Sequence, residues 1–455
     1  MVGKNDLIEF NIDKVTFPDK GEGEYGGQKV KFKGGIEGQK VEARVGRKRR
    51  DYIETKIISV SERSPLETEI GCPHFGACGG CAYQTLTYEN ELKLKERQIL
   101  DLFNKEGLDI NYLGIEKSPI AQGYRNKMEY TFGDEKKDGP LALGLHSKGK
   151  FYEIVNVQHC NITDADFTNI LTIILEYFQQ LNTPHYKKKI HKGFLRHLVI
   201  RKALSTGEIL INIVTSNQGQ LDKENFVSNI IERSDIFTGE IVGILHTIND
   251  SLSDVVKADE LEIFYGKDYI VEKILGLKFN ISPFSFFQTN TLGAERLYSI
   301  VREFAGNVDD KIIFDLYSGI GAIAQIMVPM AKKVIGVEIV EEAVNRACEN
   351  AELNNLNNVK FICGDVLKVI DELEDKPDLI IIDPPRDGIQ PKAIRKIIDF
   401  NPEKFIYVSC NPITLVRDLK VFVEGGYRIE KMKLMDMFPR TVHVECVALM
   451  SKKEK

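Results

Sequence analysis

The sequence predicts a multidomain protein with an N-terminal OB-like β-barrel, a central α+β domain and a C-terminal α/β domain of Rossmann type. Three observations carry this reading. Residues 1–64 alternate short β-prone runs with glycine-rich turns. Residues 65–280 mix strand and helix patterns behind a loop rich in cysteine and glycine. Residues 281–455 change to regular strand–helix alternation, with a glycine turn after the first strand. A chain of 455 residues is long enough for these three units.

In the first unit, strands are predicted over residues 7–12, 30–32, 40–45 and 53–60, punctuated by Gly21, Gly23, Gly26, Gly27, Gly34, Gly35 and Gly38. Several short strands at this spacing suit a small closed barrel. The run Arg44, Arg47, Lys48, Arg49 and Arg50 lies on or between them. The net charge of −6 argues against a basic nucleic-acid binder as a whole. This cluster, and a second at Lys187, Lys188, Lys189, His191 and Lys192, leave local phosphate binding open.

The chain is 43% apolar and 28% charged, as in ordinary globular proteins. No apolar run reaches the roughly 18 residues that a membrane span needs. The N-terminus lacks a signal-peptide core, so the expectation is a cytoplasmic protein with no membrane partner. Eight cysteines in such a chain point to metal binding or catalysis rather than to disulfides.

The second unit opens on Cys72-Pro73-His74-Phe75-Gly76-Ala77-Cys78-Gly79-Gly80-Cys81. Thiolates packed into so glycine-rich a loop can converge on a metal centre, and Cys160 is the best fourth ligand. Four thiolates suit zinc and an iron–sulfur cluster alike. Next comes a helical pattern over residues 86–105. Strands follow at 128–132, 141–146, 198–202 and 209–214, with helices at 163–181 and 223–234. Arg196 and Arg201 read as solvated, and the region as a recognition scaffold.

In the third unit a strand over 312–316 runs into Asp315-Leu316-Tyr317-Ser318-Gly319-Ile320-Gly321-Ala322-Ile323-Ala324. This strand-to-helix glycine turn lets a nucleotide approach the backbone. Later strands end in Glu338, in Asp365 and in Asp383-Pro384-Pro385-Arg386, and a fifth ends at Ser409-Cys410-Asn411-Pro412. Acids at successive carboxyl ends fit S-adenosylmethionine (SAM) better than NAD, because SAM has no pyrophosphate and its ribose and adenine amino group want acceptors. Cys348 and Cys363 read as packing, and Cys446 as pointing away from Glu445.

Taken together, these motifs resemble the RNA (uracil-5)-methyltransferases, and the whole chain resembles the RumA-type branch that modifies 23S ribosomal RNA. The resemblance implies a TRAM barrel and a [4Fe–4S] cluster on Cys72, Cys78, Cys81 and Cys160. It implies SAM binding by Gln288 (in Phe286-Phe287-Gln288-Thr289-Asn290), Asp315, Tyr317, Gly319, Gly321, Glu338, Asp365 and Asp383. It makes Cys410 the nucleophile and Glu445 the base, with Asp383 on the uracil edge and Arg386 near a phosphate. Ser318 stands where relatives often have cysteine. The expected partner is RNA, 23S rRNA before the T-loop of tRNA, and the expected state a monomer. The helix after Pro412 is expected to lower the Cys410 pKa. The rivals are an amino-group methyltransferase, which would leave Cys410 and Glu445 idle, and a non-catalytic RNA-binding iron–sulfur protein, which would leave the SAM motifs idle.

Overall fold

Alternation of buried and exposed side chains closes the first five strands into a barrel. The computed structural model describes residues 2–253, 258–369 and 372–453. The barrel strands are Leu7–Thr16, Lys20–Tyr25, Gln28–Lys33, Lys40–Lys48 and Tyr52–Glu62, the last lying between the third and the fourth. Ile8, Phe10, Ile12, Val30, Val41 and Ile53 fill the interior. Lys20–Tyr25 escapes the sequence pattern because its buried positions include Gly21 and Gly23. A Cβ on Gly21 would stand 1.9 Å from the Phe32 ring, so glycine admits that ring to the core. The basic residues of the run ending at Arg50 are exposed on the barrel surface.

The central sheet has seven strands in the order Glu260–Gly266, Glu240–Ile248, Glu208–Thr215, Leu195–Lys202, Lys127–Asp134, Leu141–Ser147 and Lys150–Asn156. The helices Ala165–Gln180 and Lys223–Ile231 share one apolar core with it, through Phe167, Leu171, Phe178 and Phe226. Arg196 and Arg201 are not solvated: their exposures are 3% and 2%. Both lie on a strand buried along nearly its whole length, so each guanidinium must find acceptors inside. Arg196 donates to the carbonyls of Asn249, Ser251 and Ser253. Arg201 donates to those of Pro283 and Ser285, at the edge of the third unit.

The C-terminal sheet has eight strands in the order Val359–Cys363, Lys333–Glu338, Ile312–Leu316, Leu379–Ile382, Lys404–Ser409, Glu445–Lys452, Tyr427–Met435 and Tyr112–Glu116. The first five are parallel, and Glu445–Lys452 runs antiparallel to both its neighbours. The edge strand Tyr112–Glu116 comes from far upstream and pairs parallel with Tyr427–Met435. Just before it, the helix Tyr88–Lys105 begins where the Thr87 hydroxyl accepts the Asn90 N–H, and its Ile99 and Phe103 pack into the core under this sheet. None of the helices among the described residues is long and apolar enough to cross a membrane.

That helix also carries a buried ion cluster. Lys95 Nζ lies 2.8 Å from Glu91 and 2.7 Å from Asp436, and all three side chains are shut off from water. Burial alone would pull the Lys95 ammonium down, but Asp436 and Glu91 outweigh it and hold its pKa above the ordinary value. Replacing Lys95 by alanine leaves Asp436 buried without its cation and Glu91 with only Arg440, 3.5 Å away. We expect Lys95→Ala to cost about 3–5 kcal/mol, read as a lower urea midpoint; an unchanged midpoint would contradict this role.

Candidate active site

Strand register brings the reactive residues together. Ser409 pairs with Cys446 across the antiparallel strands Lys404–Ser409 and Glu445–Lys452. One step further along, Cys410 stands opposite Glu445, and directly opposed residues project to the same face. Asp383 follows the strand Leu379–Ile382, which flanks Lys404–Ser409 on its other side with Ile382 opposite Tyr407. A thiol and two carboxyls therefore meet at the carboxyl end of the parallel strands, where ligands bind in open α/β sheets. Cys446 is fully buried in the core, on the opposite side from Glu445.

The electrostatics of this crevice are set by burial. Burial raises Asp383 to about 7. Burial, then the charge of Asp383, raises Glu445 to about 8 against the opposing pull of Arg386. Cys410 is pushed up to about 11 by burial and by Glu445 and Asp383, with Arg386 opposing through charge and a hydrogen bond. The expected lowering of this thiol is thus reversed. The helix Pro412–Glu424 does start beside it, with Asn411 capping it by accepting the Ile413 N–H, but burial, then Glu445 and Asp383, raise the thiol. His443 is lowered to about 4 by burial and by the neighbouring cations Arg386, Lys95 and Arg125, so its ring is neutral. Tyr298, which the sequence reading passed over, is buried on the helix Thr291–Ala305; burial, then Asp383, Asp315 and Glu445, raise its hydroxyl pKa.

Beside the crevice lies the glycine turn. Tyr317, Gly319 and Gly321 adopt positive φ of 67°, 55° and 74°. A Cβ on Gly321 would meet the Phe361 ring at 2.5 Å, so glycine is required there. Asp315 is fully buried, and burial, then Asp383, raises its carboxyl. Its Oδ2 accepts the Ala324 N–H at 2.8 Å, whereas its Oδ1 and the Ser318 hydroxyl are buried without a partner. Orphaned polar atoms at such a turn call for a ligand. Glu338 accepts the N–H groups of Gly319 and Val340, each at 2.9 Å, and Asp365 accepts that of Leu367 at 2.9 Å.

Gln288 is buried, while Phe286 two residues earlier is 71% exposed. Their loop is clamped from the central sheet by Arg201 and by Asn126, whose side chain donates to the Gln288 carbonyl and to the Thr291 hydroxyl. Asn290 caps the following helix and donates to the Met437 carbonyl at 2.8 Å. The alternation of Leu198, Ile200 and Lys202 around Arg201 gives no sign of this clamp in the sequence.

Cys72, Cys78, Cys81 and Cys160 line one cavity together with His74, Leu145 and Val157. Burial raises Cys81 to about 12, opposed by a hydrogen bond from Gln84, and the other three thiols raise it further. Among the described residues no three His, Cys, Asp or Glu side chains converge tightly enough to hold a single metal ion. Cys348 and Cys363 are exposed rather than packed. Cys348 lies on a face of the helix Glu341–Leu353 turned from its core, and Cys363 ends the outermost strand.

The family model described as tRNA (uracil-5-)-methyltransferase matches residues 87–453. An uncharacterised RNA methyltransferase of Caldanaerobacter subterraneus subsp. tengcongensis is 53% identical over 452 residues, covering 99% of this chain and 100% of the relative. One of Clostridium tetani is 54% identical over 452 residues, covering 99% of each. The crystal structure of Pyrococcus abyssi tRNA (uracil-54, C5)-methyltransferase in complex with S-adenosyl-L-homocysteine superposes with a TM-score of 0.76 at 28% identity, covering 97% of this chain and 100% of that one. The chain is thus a SAM-dependent RNA methyltransferase. It belongs to the tRNA (uracil-5-)-methyltransferase family.

With its thiol held near 11, Cys410 should be alkylated slowly at pH 8 in the RNA-free protein. Glu445→Gln removes a nearby negative charge and should speed alkylation, whereas Arg386→Gln removes the opposing cation and should slow it. Peptide-resolved mass spectrometry after iodoacetamide reads both signs. Equal rates in the two variants would refute the assignment of causes.

Proposed function

We propose that the protein methylates C5 of a uridine in 23S ribosomal RNA through a covalent bond between Cys410 and C6 of the uracil. The observation that carries the C5 chemistry is the register that opposes Cys410 and Glu445, with Asp383 on the adjoining strand. C5 of uracil is too weak a nucleophile to take a methyl group unaided. The Cys410 thiolate adds to C6, and the electron pair of the C5–C6 bond moves into an enolate over C5, C4 and O4. C5 of the enolate takes the methyl group of SAM: the C5–CH3 bond forms as the CH3–S bond of the sulfonium breaks, and S-adenosylhomocysteine departs with that electron pair. Glu445 then takes the C5 proton, the C5–C6 double bond re-forms and the thiolate leaves. Asp383 holds the uracil edge, and Arg386 supports the thiolate. The target base must leave its stack to reach these groups.

The residues at the glycine turn fit SAM. The orphaned Asp315 Oδ1 offers an acceptor, Gly319 and Gly321 keep the backbone open, and Glu338 and Asp365 stand at the neighbouring strand ends. Gln288, Tyr317 and Asp383 complete the set of residues assigned to the cofactor. The four thiols that line one cavity are assigned to a [4Fe–4S] cluster, with zinc as the alternative, since four thiolates suit either. The proposed chemistry needs no electron, so the cysteine site is assigned a structural role.

A second reading, the T-loop uridine of tRNA, is favoured by the match to the Pyrococcus abyssi enzyme. That match covers 97% of the chain and so reaches into the barrel, which is therefore no mark of an rRNA enzyme. One experiment separates the readings. Fluorine at C5 cannot leave as a proton, so 5-fluorouridine-substituted 23S fragments or tRNA, given with SAM, should trap the protein in a denaturation-resistant adduct with its true substrate only. Cys410→Ala should abolish the adduct. Methyl transfer to RNA without any adduct would rule out the thiolate mechanism. With natural RNA, the rate should rise with pH towards about 8 as Glu445 gives up its proton; a rate that falls over pH 6–8 would exclude Glu445 as the base.

A further inference from the structure

The hairpin of Leu141–Ser147 and Lys150–Asn156 forms one edge of the central sheet. Its outer strand presents two large aromatic side chains to solvent: Phe151 is 52% exposed and Tyr152 54%. They meet edge to face, with centroids 5.3 Å apart, and His146 stacks flat against Phe151 at 4.9 Å. Lys188 Nζ lies 4.4 Å above the Phe151 ring and Lys189 Nζ 4.4 Å above that of Tyr152. Both lysines belong to the basic cluster of the central domain. At the hairpin turn, Gly149 lies beside the Lys56 ammonium of the barrel, and Gly34 of the barrel beside that of Lys148. A line of cations thus runs from the barrel along this edge.

Exposed rings interleaved with lysines are what unpaired nucleic acid uses: bases stack on the rings and phosphates meet the ammonium groups. A cation over an exposed ring is held weakly, and a stacked base is held more firmly. An arriving base can therefore take the place of Lys189 on the Tyr152 ring and let that lysine turn to a phosphate. We propose that Phe151 and Tyr152, with Lys188 and Lys189, form a stacking platform for unpaired bases of the substrate RNA, separate from the crevice that receives the target uridine. The platform rests on the reading of the substrate as RNA and adds where on the protein its flanking bases lie.

The position of the hairpin relative to the crevice is fixed through the cysteine loop. Gly79 N–H donates to the His146 carbonyl at 3.2 Å, and Lys148 N–H to that of Ala77 at 2.8 Å. Further along the same loop, the N–H groups of Ala82 and Tyr83 donate to the Arg440 carbonyl, five residues before Glu445. The cysteine loop therefore ties the platform to the segment that delivers Glu445.

The test measures binding of the full-length protein to a fluorescently labelled RNA hairpin with an unpaired loop, and to a blunt RNA duplex of equal length. Phe151→Ala and Tyr152→Ala should each weaken hairpin binding about tenfold, leave duplex binding unchanged, and raise KM for RNA with kcat kept. Phe151→Leu and Tyr152→Leu, which retain apolar bulk, should show the same loss at an unaltered melting temperature. The double variant Lys188→Gln, Lys189→Gln should reduce the slope of log affinity against log salt by about 1.4, at about 0.7 per phosphate on a single strand. Unchanged hairpin affinity in the doubly aromatic-deleted protein, with the wild type active, would overturn the platform alone. An equal loss on hairpin and duplex would overturn stacking as its basis. Loss of hairpin affinity in the variants, alongside a wild type that binds RNA but transfers no methyl, would uphold the platform and overturn the proposed reaction.

Discussion

Everything at the crevice depends on the antiparallel pairing of Lys404–Ser409 with Glu445–Lys452. Side chains alternate across a strand, so a slip of one residue would bury Glu445 in the core and turn the Cys446 thiol towards Cys410. The segment that feeds Glu445 into the sheet is correspondingly held from several elements. Lys95 binds Asp436 and the Phe438 carbonyl, Asn290 donates to the Met437 carbonyl, and the Tyr124 hydroxyl donates to that of Pro439. Glu91 accepts the Arg440 N–H. These anchors come from the upstream helix, the central segment and the loop before the helix Thr291–Ala305, so the register is fixed by the whole chain rather than by the pair of strands alone.

Such anchoring has to hold an arrangement that is electrostatically unfavourable when the crevice is empty of RNA. Asp315 and Glu445 are buried and Asp383 is partly buried, and all three are raised, chiefly because desolvation disfavours their charged forms. Arg386 is the cation that opposes the shift at both Glu445 and Cys410. A thiol kept neutral in this setting resists alkylation. Buried, raised acids in a cleft mark functional sites for this reason: a fold selected for stability alone would not gather them.

Much of this was legible in the sequence, and what was not has physical causes. The glycine turn, the acids at the strand ends and Cys410 at the end of an apolar run all follow from local pattern, because parallel strands are buried on both faces and stop where ligands bind. Lys20–Tyr25 was missed because glycine at its inward positions erases the alternation that marks a strand. Tyr112–Glu116 was missed as an edge of the C-terminal sheet because its partner lies more than 300 residues away in the chain. Arg196 and Arg201 were misread because charge is a poor guide to exposure when backbone carbonyls converge on a guanidinium. The Cys410 shift runs opposite to the expectation because a helix end is local and visible, whereas the burial of the thiol and the carboxyls beside it come from packing and pairing across the sheet.

The central domain is therefore more than a scaffold beside a catalytic one. Arg201 reaches from the central sheet to the carbonyls of Pro283 and Ser285, and Asn126 reaches from beside it to Gln288 and Thr291. A buried guanidinium bound only to carbonyls is costly to leave unpaired, so the loop bearing Phe286 and Gln288 cannot move without a compensating move of the sheet. The same sheet carries the aromatic hairpin at one edge and is tied through the cysteine loop to Arg440. Two routes thus connect the sheet that carries the hairpin to the crevice, one entering at Gln288 and the other just ahead of Glu445. These two residues stand on different elements of the C-terminal unit, and both elements are hydrogen-bonded back to the central sheet or to the cysteine loop attached to it.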